Sequence, residues 1–291
     1  MEGSPPAPPA AAAGAAAALQ ALEGVLRGTA SAVVAVSGGV DSAVVLAAAA
    51  RVVPTVLAAT GTSAAYAAED LRAAADLARL LAVPHVGVTT RETSDPRYAV
   101  NAPSRCLHCK TELYGKLWEL ARERGLSAVL DGAHTGDLGD FRPGQRAATA
   151  LTVRSPLREA GLGKPEVRAI AHLLGLPVWD RPASPCLASR FPYGETITVE
   201  KLSMVDRAES YLRTLGLREL RVRHHGNLAR IEVQAAEMQR LLAAAPDVVA
   251  ELRAIGYAYV AMDLQGFRSG ALNEVLQPRE RAAALAAPGE P

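Results

Sequence analysis

The feature that most constrains this chain is a short polar hinge between two apolar segments. Ser37-Gly38-Gly39-Val40-Asp41-Ser42 follows the valine-rich run Ala32–Val36 and opens the alanine-rich stretch Val40–Ala50. The first run reads as a buried strand and the second as a helix. A strand that turns through two glycines straight into a helix offers backbone N–H groups and the positive end of the helix dipole to an anion above the turn. Phosphate fits that offer. Gly38, Gly39 and Val40 supply backbone, the hydroxyls of Ser37 and Ser42 can donate to the same oxygens, and Asp41 can hold the Mg²⁺ that accompanies a triphosphate. The spacing differs from a Walker A loop and the lysine is missing. An ordinary glycine-rich turn is the bland alternative, and the agreement of residue types, spacing and context speaks against it.

Strand and helix patterns continue to alternate. Thr55–Thr60 predicts a second strand, Ala64–Leu81 a helix, His85–Thr89 a third strand, Arg105–Arg124 a helix, Ser127–Leu130 a fourth strand and Lys164–Leu174 a helix. Alternation of this kind means βαβ units and a doubly wound parallel sheet, an α/β fold. Thr60, Ser63 and Asp131 then fall at the carboxyl edge of the sheet, where nucleotides bind, although turn and cap roles suit them equally well. Beyond the proline-rich stretch 177–192 the pattern changes. Thr198–Leu215 predicts a helix, Leu220–His224 and Ala229–Val233 a hairpin turning at Gly226-Asn227, Ala235–Ile255 a helix broken near Pro246, and Tyr257–Leu264 a last strand. The expected organisation is a disordered or loosely helical lead-in over residues 1–18, a nucleotide domain over 19–180, a smaller α+β domain over 181–276 and a fraying tail over 277–291.

Composition narrows the function. With 31 basic and 30 acidic residues the net charge is +1, which gives no general electrostatic case for nucleic acid. No run reaches the roughly 18 apolar residues of a membrane span, and the N-terminus lacks the basic start of a secretory signal, so a cytoplasmic protein is expected. Only four of the basic residues are lysines, and Lys110 and Lys164 lie inside motifs. Lys164 opens a helix, where a cation is unfavourable unless it faces an anion. An odd set of three cysteines, Cys106, Cys109 and Cys186, argues against a disulfide framework and for metal or catalytic chemistry. Cys106 and Cys109 share one face at a helix start, with Arg105 and Lys110 favouring thiolate.

SGGVDS after a strand resembles the signature of the PP-loop family, whose members cleave ATP to AMP and pyrophosphate. Over roughly residues 22–276 the chain also resembles the ATP-dependent sulfur transferases of the LarE family, which help build the nickel-pincer cofactor of lactate racemase. The motifs that carry this are Arg105-Cys-Leu-His-Cys-Lys110, Asp140-Phe-Arg-Pro-Gly144, Gly163-Lys-Pro-Glu-Val-Arg168, Pro185-Cys-Leu-Ala-Ser-Arg190, Arg221-Val-Arg-His-His-Gly226 and Asp263-Leu-Gln-Gly-Phe-Arg-Ser-Gly270. The stretch Asp131-Gly-Ala-His-Thr-Gly-Asp137 departs from the family's usual Asp-Gly-Thr-Asn-x-Asp-Asp at Ala133, His134 and Gly136.

The resemblance implies a substrate, pyridinium-3,5-biscarboxylic acid mononucleotide, whose carboxylates are adenylylated and then converted to thiocarboxylates. Members with a single motif cysteine give up the sulfur at the position of Cys186; members with the CxxC pair as well bind a [4Fe-4S] cluster. Three thiolates would leave one iron able to carry a sulfide from an external donor. A Cys₃His zinc site with His108 or His134 is the alternative. Lys164 and Arg190 become candidates for phosphate or adenylate contact, and Lys110 and Cys186 for catalysis. Arg221, Arg223 and His225, on one face of a strand, form a candidate patch for the substrate phosphate, with a solvated strand face the equal alternative. A homo-oligomer without a nucleic-acid or membrane partner is expected. The rivals are a tRNA thiolation enzyme, an amide-forming synthetase and a nucleotide-binding scaffold.

Overall fold

A computed structural model describes residues 9–137 and 141–286. Asp140, which opens one of the motifs, lies outside the described residues. In chain order the elements are α1 (Pro9–Leu26), β1 (Ser31–Ala35), α2 (Val40–Val52), β2 (Thr55–Thr62), α3 (Ala68–Leu80), β3 (His85–Thr89), α4 (Pro96–Ala99), α5 (Arg105–Glu123), β4 (Ala128–Leu130), α6 (Gln145–Ala150), α7 (Pro156–Glu159) and α8 (Lys164–Leu173). They are followed by α9 (Val199–Thr214), β5 (Leu220–His225), β6 (Leu228–Val233), α10 (Met238–Ala243), α11 (Ala245–Ile255), β7 (Tyr259–Met262) and α12 (Pro278–Ala286).

The first four strands form a parallel sheet in the order β3-β2-β1-β4. Adjacent residues of β1 are buried on opposite faces. Ala32 and Val34 pack with α1, α2 and α8, whereas Val33 packs with Leu107, Leu113 and Leu117 of α5 and Ala147 of α6. Because both faces are covered, the strand is an unbroken apolar run. The chain moves from β1 to β2 and β3 on one side, then returns to place β4 on the other. The strand order therefore reverses at β1, and the crevice above β1 and β4 is the position where doubly wound sheets bind ligands. The Ser37–Ser42 loop leaves β1 there, and Asp131 leaves β4 beside it.

The second sheet has the order β5-β6-β7, with β5–β6 antiparallel and β6–β7 parallel. It packs its apolar face on α9 and α11 through Val222, Ile231, Leu212 and Leu252. A further apolar cluster joins Ala65 and Tyr98 to Leu187, Phe191, Leu202 and Val205, so the segment carrying Cys186 is sandwiched between the two sheets' flanking elements. No helix among the described residues is long and apolar enough to cross a membrane.

Several boundaries differ from the periodicity reading. The lead-in is helical from Pro9, and Ala15, Leu19, Leu22 and Leu26 are buried along one stripe at helical spacing. Alanine's helix propensity explains how a Pro/Ala-rich segment does this. The tail too forms a helix, α12, with Ala284 buried. Helix α3 starts at Ala68 because the Ser63 hydroxyl accepts from Ala65 N at 3.1 Å and holds residues 63–66 in a turn. The 235–255 helix divides at Ala244, with Pro246 in the first turn of α11, where its missing N–H costs nothing.

If α1 belongs to the core, Leu22→Ala should lower the unfolding free energy in a urea titration by about 2–5 kcal/mol, the range for deleting buried methyl groups. Leu264→Ala, at a residue 84% exposed, should change it by no more than about 0.5 kcal/mol. Equal effects would exclude α1 from the core.

Candidate active site

The Ser37–Ser42 loop is built by backbone constraint. Gly38 has φ of +76°, and a Cβ there would meet the Asp70 carbonyl oxygen at 2.4 Å, so only glycine fits. Gly39 caps α2 without a side chain, leaving the first amides of the helix uncapped. Ser42 is buried: its hydroxyl accepts from Ser37 N at 3.1 Å and donates to the Gly39 carbonyl at 3.1 Å, closing the loop from beneath. Ser37 stays exposed, its hydroxyl 3.2 Å from that of Ser42. Val40 is buried and contributes through its backbone. Gly132 presses on the same turn, since a Cβ there would lie 2.8 Å from Ser42 N.

Asp41 and Lys164, far apart in sequence, meet at the mouth of this loop. Lys164 Nζ lies 2.8 and 2.7 Å from the two Asp41 oxygens, so the unfavourable cation at the start of α8 faces an anion. His134 Nε2 is 3.9 Å from Asp41 and 3.5 Å from Asp137.

Asp131 and Thr60 stand at the sheet edge as expected, but their polar atoms are committed to the protein. Asp131 accepts from Tyr114 Oη at 2.7 Å, Ser155 Oγ at 2.7 Å and Ala133 N at 3.1 Å. Thr60 donates to the Val36 carbonyl at 2.8 Å and lies 2.9 Å from His85 Nε2. Both are buried anchors of the loop rather than open ligand contacts. Lys110 donates to Tyr114 Oη at 2.8 Å, which links the CxxC turn to Asp131. Burial opposes the Lys110 charge, but Tyr114 and Asp131 outweigh it and raise its pKa.

The three cysteines are free thiols, each half-buried, brought together by α5 and the 185–190 segment. Burial pushes the Cys109 thiol up, and Cys186, Glu92 and Cys106 add to it. Burial, then Cys106, raises Cys186 against the pull of Arg105 and Arg190. The three sulfurs therefore act on one another in one pocket, with Tyr66, Tyr98 and Arg105 around them. Among the described residues, no three Cys, His, Asp or Glu side chains converge closely enough for a single metal ion. Three buried polar atoms without a hydrogen-bond partner lie around this pocket: Glu92 Oε2, Tyr98 Oη and Arg105 Nε.

The arginines require a correction. Arg190 is wholly buried, so it cannot contact phosphate. It clamps Glu209 with two bonds of 2.8 Å and donates to the carbonyls of Pro185 and Cys186. Arg221 and Arg223 do share a face of β5, as the alternation requires. That face is directed at the cysteine segment: Arg221 donates to the Ala183 carbonyl and stacks 4.9 Å from the Phe267 ring, while Arg223 holds Glu232 and donates to the Ser189 carbonyl at 2.8 Å. Two of the motifs, PCLASR and RVRHHG, are thus two halves of one mounting.

That mounting adjoins the phosphate loop. Ser184 donates to Asp70 Oδ2 at 2.9 Å, and the Asp70 carbonyl packs on Gly38. Arg181 bridges the same places, donating to the Gly38 carbonyl at 2.8 Å and pairing with Asp70 at 2.9 Å. The sequence reading missed Asp70, Arg181 and Glu92. Glu92 follows β3 at the sheet edge, a position that could have marked it; Asp70 and Arg181 carry no local signal.

A parallel sheet with SGGVDS at its switch point defines an ATP-using PP-loop domain, and residues 16–132 match the asparagine synthase family. The chain is 46% identical over 248 residues to the slr1717 protein of Synechocystis sp., covering 84% of this chain and 92% of that one. It is 39% identical over 251 residues to the pyridinium-3,5-bisthiocarboxylic acid mononucleotide synthase of Lactiplantibacillus plantarum, covering 86% of this chain and 91% of that enzyme. The MJ0830 protein of Methanocaldococcus jannaschii matches at 28% over 169 residues, 58% of this chain and 66% of that one. The chain belongs to the family of that synthase, the LarE family.

Burial alone would raise Glu209, but Arg190 pulls its pKa down to about 2. A folded pKa below the unfolded value, roughly 4.3, means the pair contributes fully above that pH and loses its contribution as pH falls toward the folded value. Arg190→Ala, which leaves the buried Glu209 carboxylate only Arg213 at 3.2 Å and the Val222 amide, should cost up to about 3–5 kcal/mol in denaturant titrations at neutral pH. It should also flatten the stability loss of the wild type between about pH 4 and pH 2. A variant as stable as the parent would show that the pair does not hold the segment.

Proposed function

We propose that this chain uses ATP to adenylylate the carboxylates of pyridinium-3,5-biscarboxylic acid mononucleotide and converts them to thiocarboxylates. The observation that carries the reading is the Asp70 junction, which sets the segment bearing Cys186 against the phosphate loop. An acyl-adenylate formed at that loop has its activated carbon close to sulfur. The carboxylate oxygen attacks the α-phosphorus and pyrophosphate leaves; sulfur then attacks the acyl carbon and AMP leaves. The uncapped amides of α2 and the Ser37 hydroxyl hold the leaving pyrophosphate. Asp41 would hold Mg²⁺, which would leave Lys164 to face the phosphates.

The donor set fits an iron–sulfur cluster. Three free thiols share one buried pocket with orphaned polar atoms, and their arrangement does not suit a single ion, which would need thiolates within about 4 Å of one another for tetrahedral ligation. Cys106, Cys109 and Cys186 would hold a [4Fe-4S] cluster, which when bound supplies an iron that no thiolate of this chain fills and where sulfide from a donor can sit. The chain's own part is to hold Cys186 through Arg190, Arg221 and Arg223 and to keep it from being consumed.

ATP should be cleaved to AMP and pyrophosphate, and Asp41→Ala should reduce turnover by two orders of magnitude or more, on the order of 3 kcal/mol of barrier. Chromatographic detection of ADP and phosphate would sink the reading, and near-normal activity of Asp41→Ala would remove Asp41 from the site. Anaerobic preparations should contain iron and acid-labile sulfide, which each of Cys106→Ala, Cys109→Ala and Cys186→Ala loses. The intact mass after turnover should be unchanged. A loss of one H₂S at Cys186 would show sacrificial transfer instead, and a colourless protein carrying zinc would replace the cluster.

A further inference from the structure

Glu92 is a buried charge that the reaction described above does not use. It lies on the single turn Glu92–Ser94 after β3 and is 1% exposed. The Ser63 hydroxyl donates to its Oε1, while Oε2 is buried with no hydrogen-bond partner. A carboxylate held in this way is costly unless something engages its second oxygen.

Its neighbours show what can do so. Ser63 Oγ also accepts from Ala65 N, and the Ala65 carbonyl accepts from Leu187 N at 2.9 Å, so a short bonded path runs from Glu92 to the residue after Cys186. On the other side Arg91 N donates to Glu112 Oε1 at 2.6 Å, and Glu112 lies one turn beyond Cys109 on α5. Glu92 stands between the two segments that carry the thiols. Cys109 and Cys186 both pack against the apolar cluster that contains Ala65, Tyr98 and Leu187.

We propose that Glu92 is the fourth protein donor of the cysteine pocket, its free oxygen occupying the iron that Cys106, Cys109 and Cys186 leave without a thiolate. This rests on the cluster reading above. A carboxylate oxygen is a harder donor than sulfide and the weaker partner in a sulfur-rich site. Glu92 therefore fills the position when sulfide is absent and yields it when sulfide arrives. The iron–oxygen bond breaks, an iron–sulfur bond forms, no electron changes hands, and one anion replaces another. Ser63 keeps the displaced carboxylate in the pocket by its other oxygen.

The test compares anaerobically loaded wild type, Glu92→Gln and Ser63→Ala, each checked for folding by thermal melt. Iron and acid-labile sulfide, the EPR signal of the reduced cluster, and sulfide affinity from the visible spectrum are measured. Glu92→Gln should keep the wild-type iron content, shift the sulfide-free EPR signal, and bind added sulfide about tenfold more tightly, a difference of about 1.4 kcal/mol. The two spectra should coincide once sulfide saturates. Ser63→Ala should shift the sulfide-free signal in the same direction by less, and it decides the matter alone if Glu92→Gln does not fold. Unchanged EPR and sulfide affinity in the decisive variant overturn the assignment and leave the cluster reading standing. A wild type without iron overturns the cluster reading itself.

Discussion

The pair between Arg190 and Glu209 is the interaction on which the sulfur side of this molecule depends. Both residues are fully buried, and the guanidinium meets the carboxylate through two bonds of equal length. A buried ion pair is a weak source of stability compared with apolar packing, because desolvating two charges offsets most of their attraction. What it supplies here is position. Glu209 sits on α9 and also accepts from Val222 N of β5 at 3.0 Å, while Arg190 reaches the carbonyls of Pro185 and Cys186. One carboxylate thus fixes a helix, a strand and the backbone of the Cys186 segment relative to one another. Apolar side chains of similar volume would fill the space without holding those carbonyls.

The remaining supports follow from that point. Arg221 takes the Ala183 carbonyl before the cysteine and Arg223 the Ser189 carbonyl after it, so the segment is fastened on both sides of Cys186. Ser184 and Arg181 then tie it to Asp70, whose carbonyl lies against Gly38. The phosphate loop and the cysteine segment are registered against the same residue. The proposed sulfur transfer to an acyl-adenylate would need the two chemistries at one carbon, and a displacement of about 1 Å can cost two orders of magnitude in rate. A rigid junction between the half-sites meets that demand.

Much of this was legible in the chain. Strand, glycine turn and helix around Ser37–Ser42 announce themselves by local pattern, and so do the paired cysteines at the start of α5. The hairpin of β5 and β6 and the shared face of Arg221 and Arg223 also follow from alternation. What those side chains do was not legible, because their partners lie far away in sequence. Thr60 bonds Val36 and His85, Asp131 bonds Tyr114 and Ser155, and Arg190 bonds Glu209, none of them neighbours at helical or strand spacing. A charged residue in a motif was read as a ligand contact, yet burial had already committed several of them to the scaffold. The helix in the alanine-rich lead-in, expected only as disordered or loosely helical, was indistinct for another reason. Its apolar stripe is made of alanine and leucine within a segment rich in alanine on every face, so the period carries little contrast.

Asp41 and Lys164 show how the nucleotide side stays balanced. On its own, the Asp41 carboxylate beside the phosphate loop would repel an incoming polyanion. Lys164 cancels that charge through contacts of 2.7 and 2.8 Å on a partly exposed pair, so the cost of parting them is small. A magnesium ion arriving with ATP would take the place of the ammonium at Asp41 and would leave Lys164 free to face phosphates at the start of α8. Each charge would then face an opposite one before and after binding. The position of Lys164 at a helix N-terminus, where the dipole disfavours a cation, is accounted for by the Asp41 carboxylate it faces. A lysine placed for helix stability alone would sit in the last turn of the helix, far from Asp41.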